Sequence, residues 1–396
     1  MPIPTPFHAR TSALCVSHEW RDWSGYLAAS LYEPAHDREY YAIRSSASLI
    51  DVSPLYKYEV RGPDALGFVD RLMTRDLTRC VTGQVMYSPW CDDDGKVIDD
   101  GTVARLAPDR FRITAAEANL VWFQDCAYGM DVEVMDVSAK LAVLALQGPN
   151  ARKILQRVVQ GIDLERLKYY RLAEGKAGEI PLAISRTGYT GDLGYELWVA
   201  PELALPLWDH LIEQGEAYGI MPAGMLALDI ARIEAGLIMI QIDYISSRKA
   251  LIQAQKSSPF EIGLDWAVDL TKKRFIGREA LRAEHRQGSF WQFTGVEVDW
   301  NSLEALFGKV NLTPRLTGKA SRLAVPIYSG GRQIGQMTSH TFSPLLKKYI
   351  GLATVERKYA AEGARVSVEV TVEYTRQRSE ARLVKTPFFN PARKRA

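Results

Sequence analysis

The stretch Arg186-Thr-Gly-Tyr-Thr-Gly-Asp-Leu-Gly-Tyr-Glu196 carries the reading of this chain. The apolar run Leu182-Ala-Ile-Ser185 precedes it and Leu197-Trp-Val199 follows, so it joins two expected strands. Gly188, Gly191 and Gly194 let the backbone turn and approach something closely. Tyr189, Tyr195 and Glu196 add aromatic faces and a carboxylate. Together they predict contact with a flat, nitrogen-rich ligand. A glycine-rich strand connection with no ligand is the plainer alternative.

The 396 residues, 47% of them hydrophobic, suffice for two or three domains with cores of their own. With 49 Lys and Arg against 47 Asp and Glu, no net field favours nucleic acid or an anionic membrane. The longest apolar stretches, such as Leu141-Ala-Val-Leu-Ala-Leu146, are far shorter than a membrane span. The N-terminal Met1-Pro-Ile-Pro-Thr-Pro-Phe-His-Ala-Arg10 lacks the apolar run of a secretion signal. Cys15, Cys80, Cys91 and Cys126 are too scattered for a zinc site or a disulfide framework. The histidines show no metal spacing, and Asp92-Asp-Asp-Gly95 lacks the ligand pattern of a calcium loop. A cytoplasmic protein without metal, nucleic-acid or membrane partners is expected.

Tyr58-Glu-Val-Arg-Gly-Pro-Asp-Ala-Leu-Gly-Phe-Val69 and Val143-Leu-Ala-Leu-Gln-Gly-Pro-Asn-Ala-Arg-Lys-Ile154 echo one another. Each reads as a strand, a Gly-Pro turn, an Asp or Asn N-cap and an amphipathic helix. Asp94-Gly95 predicts a hairpin inside a meander from Gly83 to Arg112. Helical spacing appears around Pro206-Leu-Trp-Asp-His-Leu-Ile212 and from Ala223 to Ala235. Beyond about residue 285, short strands alternate with glycine-rich turns such as Ser329-Gly-Gly331, which predicts a separate small barrel or sandwich. Residues 390–396 read as a frayed basic tail.

Further segments accompany the glycine-rich stretch: Leu49-Ile-Asp-Val-Ser53, Val97-Ile-Asp-Asp100, Leu146-Gln-Gly-Pro149, Arg232-Ile-Glu-Ala-Gly236, Phe275-Ile-Gly-Arg-Glu-Ala-Leu281 and Thr338-Ser-His-Thr-Phe-Ser-Pro344. In this order and spacing the chain resembles the T-protein of the glycine cleavage system and its folate-dependent relatives. The resemblance implies an α+β, three-lobed cloverleaf fold with antiparallel sheets and a C-terminal β-barrel, and tetrahydrofolate in a central hole. One lobe is expected from residues 1–55, 140–175 and 220–283. A second, ferredoxin-like lobe is expected from 56–139 and 176–219, and the barrel from 284–396.

Folate contacts are implied at Tyr87, Asp100, Tyr189, Glu196 and Trp266. Asp99 and Asp100 point to opposite faces of a strand, so only one enters the pocket. Thr102 and Ala104 would share the face of Asp100. Glu196 suits the amino-pyrimidine edge, because a carboxylate accepts two N–H bonds. Asp100 is the expected catalytic group, taking the N5 proton or orienting the pterin; its plainer role would be to cap the neighbouring hairpin. His340, where T-proteins usually carry glycine, is expected as a leaving-group acid, with a surface turn residue as the alternative.

Departures from the family pattern gather on the substrate side. Leu228 stands where T-proteins carry an arginine, and Ala115-Ala116 where they carry an asparagine. Asp51-Val-Ser-Pro-Leu55, Trp20-Arg-Asp-Trp-Ser-Gly-Tyr26 and Ile238-Met-Ile-Gln-Ile-Asp243 replace further family segments. Trp20, Trp23 and Tyr26 are expected to wall a substrate pocket, or else to pack the first lobe. Arg232 is expected on an anionic substrate or the folate tail, or paired with Asp229 along the helix. The expectation is therefore a demethylase moving a methyl group from an O-, S- or N-methyl small molecule to N5 of tetrahydrofolate. The alternatives are an aminomethyltransferase of glycine cleavage, served by a lipoylated carrier protein, and a non-catalytic folate-binding protein.

Overall fold

Two β-sheets and a closed barrel meet around one cavity in the computed structural model, which describes residues 1–314 and 318–396. The first sheet has the spatial order Val159–Gln160, Leu172–Ala177, Ile180–Ser185, Gly194–Val199, Ala142–Gln147, Ala47–Asp51 and Ile220–Pro222. Only the last pair is parallel. Every residue of Ala142–Gln147 is buried, as fits a central strand covered on both faces. One face packs the helices Ala151–Val158 and Ala204–Gly215 through Ile154, Leu155, Leu207 and Trp208. The other packs Asp37–Ser45 and Met225–Glu234 through Tyr40, Ile43, Leu228 and Ile230.

The second sheet is antiparallel throughout, in the order Val85–Cys91, Val97–Ala107, Arg110–Ala115, Tyr56–Arg61 and Glu133–Asp136. The helix Ala65–Leu72 closes one face, setting Phe68, Val69 and Leu72 against Val60, Val103 and Phe111. The pairing of Val85–Cys91 with Val97–Ala107 slips once. Trp90 faces Asp99 but Cys91 faces Val97, which leaves Ile98 as an extra residue. Beyond this bulge Val103 points into the core while Asp100 and Thr102 line the cavity. Bulges re-aim side chains in this way.

Both echoed Gly-Pro turns precede helices, Ala65–Leu72 and Ala151–Val158. At Gly148 φ is +125° and a Cβ would lie 2.7 Å from the Ser46 carbonyl oxygen, so the turn requires glycine. Asp64 and Asn150 hold the cap positions without a side-chain cap bond; Asp64 accepts from the Asp131 N–H at 2.8 Å instead. The C-terminal strands close into a barrel in the order Trp291–Val298, Lys348–Glu356, Arg332–Ser343, Val325–Ser329, Arg365–Val372 and Thr375–Val384, which returns to the first. Closure leaves no exposed edge. Among the described residues no helix is long and apolar enough to cross a membrane.

Three expectations are corrected. Strands within residues 176–219 do not join the second lobe: Gly194–Val199 pairs along its whole length with Ala142–Gln147, and Leu197 and Leu144 share one core. Part of the segment expected in the first lobe packs elsewhere, since Ile240, Tyr244, Ile262, Phe275 and Leu281 lie against Cys91 and Val97 of the second sheet. In both cases backbone pairing and apolar burial override neighbourhood along the chain. The basic tail is docked and not frayed. Arg393 forks onto Asp192 at 2.7 and 2.8 Å, and the Ala396 carbonyl accepts from Arg152 at 2.8 Å.

One buried ion cluster joins these parts. Arg44 donates twice to Glu234 Oε2, at 2.8 and 2.7 Å, and lies 3.5 Å from Asp192. The hydroxyls of Tyr40 and Ser343 donate to Glu234 Oε1 at 2.5 Å each. Removing one partner of a buried pair costs about 3–5 kcal/mol, because the other charge is stranded. Arg44→Ala is expected to lose that much in urea unfolding followed by tryptophan fluorescence. Arg10→Ala breaks only an exposed pair with Asp209 and is expected to change the midpoint little.

Candidate active site

The cavity measures ≈ 1750 Å³. The first sheet contributes Gln147 and Glu196 to its wall, the second Asp100 and Thr102, and the barrel Phe293 and Thr294. Residues 235–242 and the hairpin formed by Trp20–Trp23 and Tyr26–Ala29 complete it.

Asp100 lies at the centre of a polar cluster. It accepts a hydrogen bond from the Tyr87 hydroxyl at 2.6 Å on one oxygen and from the Tyr244 hydroxyl on the other. Burial pushes its pKa up, and the two phenols partly offset the rise. Asp99, on the opposite face, is consumed by structure: it accepts from the Asp100 N–H at 2.8 Å, the Asn119 amide at 2.8 Å and the Glu117 N–H at 3.1 Å. Burial and the neighbouring charge of Asp100 hold its pKa well above the carboxylate range. The Tyr87 ring stacks on Trp266, 5.7 Å between centroids and 18° between planes. Trp266 is 57% exposed and marks the rim.

Glu196 is the second cavity carboxylate. Thr187 donates to its Oε2 at 2.7 Å and Ser185 at 3.4 Å. Among the described residues Oε1 takes no hydrogen bond, so one acceptor remains for an N–H edge presented from the cavity. Burial raises its pKa, opposed by these hydroxyls and by the nearby Arg112. The Arg112 guanidinium lies 3.8 Å over the Trp198 ring and is itself pushed down to about 10 by burial. Tyr189 lines the cavity with its ring, its hydroxyl being spent on the Ile238 carbonyl. A polar acceptor beside stacked aromatic faces fits a flat heterocycle such as a pterin.

Of the residues expected from the sequence, Tyr87, Asp100, Tyr189, Glu196, Trp266 and Trp23 thus surround one cavity. Thr102 joins them, but Ala104 does not. Four others lie outside it. Arg232 is fully buried and donates to Asp243 at 2.6 Å and to Ser339 at 2.7 Å, because its whole helix is enclosed between the first sheet and the barrel. His340 sits on a barrel strand, with one ring nitrogen 2.6 Å from the Tyr349 hydroxyl and the other 3.2 Å from the Leu323 carbonyl. Burial lowers its pKa, which disfavours the protonated acid. Trp20 packs on His8, 5.0 Å between centroids, and Tyr26 ends the hairpin beside Trp23. Sequence reasoning missed Tyr244, Tyr170 and Arg112, which reach the site only through the fold. The Tyr169-Tyr170 pair ahead of a strand was the one local signal available.

Fold and cavity together define a three-bodied α+β protein built around a polar and aromatic chamber. Residues 7–272 match the GCVT N-terminal domain and residues 310–390 the glycine cleavage T-protein C-terminal barrel domain. Aminomethyltransferases of Halothermothrix orenii and Moorella thermoacetica are 34% and 33% identical to it over 356 and 377 residues. The aligned regions cover 89% and 94% of this chain and 90% and 94% of those proteins. The crystal structure of the glycine cleavage system aminomethyltransferase T from Bartonella henselae superposes with a TM-score of 0.83 at 23% identity, covering 98% of this chain and 99% of that one. The chain belongs to the glycine cleavage T-protein family, and its fold is the one the motifs imply.

Because burial disfavours the charged form of Asp100, folding favours its protonated acid. Stability from this group is present in acid and is lost as pH rises through its folded pKa. Asp100→Asn cannot ionise, so its melting temperature is expected to equal the parent's near about pH 4 and to exceed it near about pH 8. A thermal scan in which the parent is the more stable protein at the higher pH would contradict a desolvated carboxylate.

Proposed function

We propose that this protein is a tetrahydrofolate-dependent one-carbon transferase of the aminomethyltransferase type, with a lipoylated carrier protein as its donor partner. The names of relatives at 33–34% identity over about nine-tenths of the chain support this order of readings over the demethylase expected from the sequence. The observation that carries the chemistry is the Asp100 carboxylate, enclosed in the cavity wall and held by two phenols.

A bound reduced pterin supplies the nucleophilic nitrogen. Glu196 holds the nitrogen-rich edge through its open Oε1, and Tyr87, Tyr189 and Trp266 enclose the ring. In the carrier reaction the one carbon would exchange its bonds to the donor sulfur and to its amine for bonds to two folate nitrogens, the amine leaving as ammonia and the sulfur as a thiol. Asp100, when ionised, would take one of the two protons folate gives up, and its raised pKa would suit it to pass that proton to the departing amine, the thiolate taking the other. Tyr87 and Tyr244 fix the carboxylate in place, so little reorganisation is left to the reaction.

A methyl transfer from a free small molecule is the second reading. The observation favouring it is Leu228, which lines the cavity beside Trp23 and Met225 where T-proteins carry a cation.

Incubation with tetrahydrofolate and either an aminomethyl-loaded lipoylated carrier or a panel of methylated small molecules separates the two by product. Methylenetetrahydrofolate and ammonia from the carrier are expected. Production of 5-methyltetrahydrofolate from free donors alone would promote the second reading. Asp100→Asn should lower kcat about 10²–10⁴-fold with folate binding retained. Glu196→Gln should weaken folate binding about tenfold. No folate affinity in the parent protein would sink both readings.

A further inference from the structure

Arg112 is a buried cation that no side chain or carbonyl pairs. Its Nε is enclosed without a hydrogen bond, and among the described residues the rest of its guanidinium makes neither hydrogen bond nor ion pair. It comes from the strand Arg110–Ala115 of the second sheet and lies 3.8 Å over the ring of Trp198, on Gly194–Val199 of the first. An apolar side chain would join the two sheets there without the cost of desolvating a charge. What the guanidinium adds is a positive charge held against an indole face.

That indole begins a chain of hydrogen bonds that ends on Glu196. Trp198 Nε1 donates to Ser185 Oγ at 3.1 Å, the hydroxyls of Ser185 and Thr187 lie 2.8 Å apart, and Thr187 donates to Glu196 Oε2 at 2.7 Å. An indole N–H only donates and an ionised carboxylate only accepts, so both hydroxyl protons point toward Glu196. The chain runs along one face of the first sheet, where Ser185 is the cross-strand partner of Glu196 and Trp198 lies two residues further on. Hydrogen bonds in series polarise one another, and a cation over the indole makes its N–H the stronger donor. Every contact of this chain falls on Oε2, and Oε1 keeps its acceptor capacity.

Arg112 also acts on Glu196 through space, and it is the charged group that opposes burial in setting the Glu196 pKa. Tyr169 and Tyr170 feel the Glu196 charge as well, but burial pushes both phenols up and they stay neutral. Around Arg112 itself stand Glu174, Glu59 and Arg110, the last two paired at 2.6 Å. Lys57 feels its charge too, and burial pushes that ammonium down to about 8. Arg112 is pushed down only to about 10 and remains a cation through neutral pH. A direct salt bridge to Glu196 would occupy its free oxygen, whereas an uncharged side chain would leave burial to protonate it.

We infer that Arg112 is a positioning residue for the pterin: stacked on Trp198, it polarises the one-way chain through Ser185 and Thr187 and keeps Glu196 ionised with Oε1 open. The inference rests on the folate site proposed above and adds the residue that holds its carboxylate in the binding form. Removing the charge lets Glu196 take up a proton, so the loss of affinity is largest in acid and fades as pH rises through the Glu196 pKa.

Isothermal titration of the full chain with tetrahydrofolate, in the absence of oxygen, tests this between about pH 6 and about pH 9. The ratio of variant to parent dissociation constants cancels the ionisation of the ligand itself. Arg112→Met is expected to bind about tenfold more weakly than the parent at the acid end, and the ratio should shrink toward one at the alkaline end. Trp198→Phe keeps an aromatic face, removes the N–H and should shift the ratio in the same sense. In a Glu196→Gln background Arg112→Met should leave the ratio flat, which separates Glu196 from Lys57. A ratio that does not change with pH in either variant would show a packing role only and overturn the inference, as would a pH dependence that survives in the Glu196→Gln background. Infrared titration of the unliganded proteins reads Glu196 directly, as the protonated-carboxyl band that Glu196→Gln removes. That band should persist to higher pH in Arg112→Met than in the parent; identical titrations would overturn the inference even in a protein that bound no folate. Absent folate affinity in the parent strikes the proposed function, so the two failures stay distinct.

Discussion

The buried cluster of Arg44, Glu234 and Asp192, closed from outside by the partly exposed Arg393, is the constraint on which the rest of the molecule depends. Its members come from the helix Asp37–Ser45, the helix Met225–Glu234, the glycine-rich loop and the C-terminal tail, and Ser343 ties in the barrel. Two cations meet two carboxylates, so the group is neutral as a whole but costly if any member leaves. Such a cluster specifies arrangement more than it adds stability: the lobes have one way to meet in which every charge is matched. The cavity wall is built directly on it, since Tyr189 precedes Asp192 in the same loop and Leu228 shares a helix with Glu234.

The two neighbouring aspartates show how a strand divides labour. Asp99 and Asp100 are both desolvated and both raised in pKa. Asp99 is saturated by N–H donors on the core side, whereas Asp100 meets only hydroxyl donors and lines the chamber. Hydroxyls can rotate and accept in return, so the Asp100 site can follow a change of protonation that the Asp99 site would resist. The bulge at Ile98 sets which of the two faces the cavity. Stability is surrendered there for a poised acid, a pattern common where pKa values are displaced at functional sites.

The two ion clusters on the helix Met225–Glu234 differ in kind. Around Glu234 the charges cancel and the hydrogen bonds are short and numerous. Around Asp229 the pairing is looser: Arg322 donates twice to one oxygen, and among the described residues the other takes no hydrogen bond. Leu228, next to Asp229 on the helix, keeps the cavity wall apolar at that point.

By itself the sequence determined the family, the closed barrel and the residues Tyr87, Asp100, Tyr189, Glu196 and Trp266 that meet at the cavity. These were legible because turn glycines, strand alternation and motif order are local or linear properties. Arg232 and His340 were misplaced because a side chain's chemistry does not reveal which face of its element is covered: one lies inside an enclosed helix, the other is held within the barrel. Membership of the strands in residues 176–219 was likewise misjudged, since backbone pairing with Ala142–Gln147 joins segments distant along the chain. Only the tertiary structure brought Tyr244 to Asp100, and Arg21 and Arg322 to Asp229, over separations of 93 residues and more. Such contacts depend on how three bodies close on one another, and no local pattern encodes that.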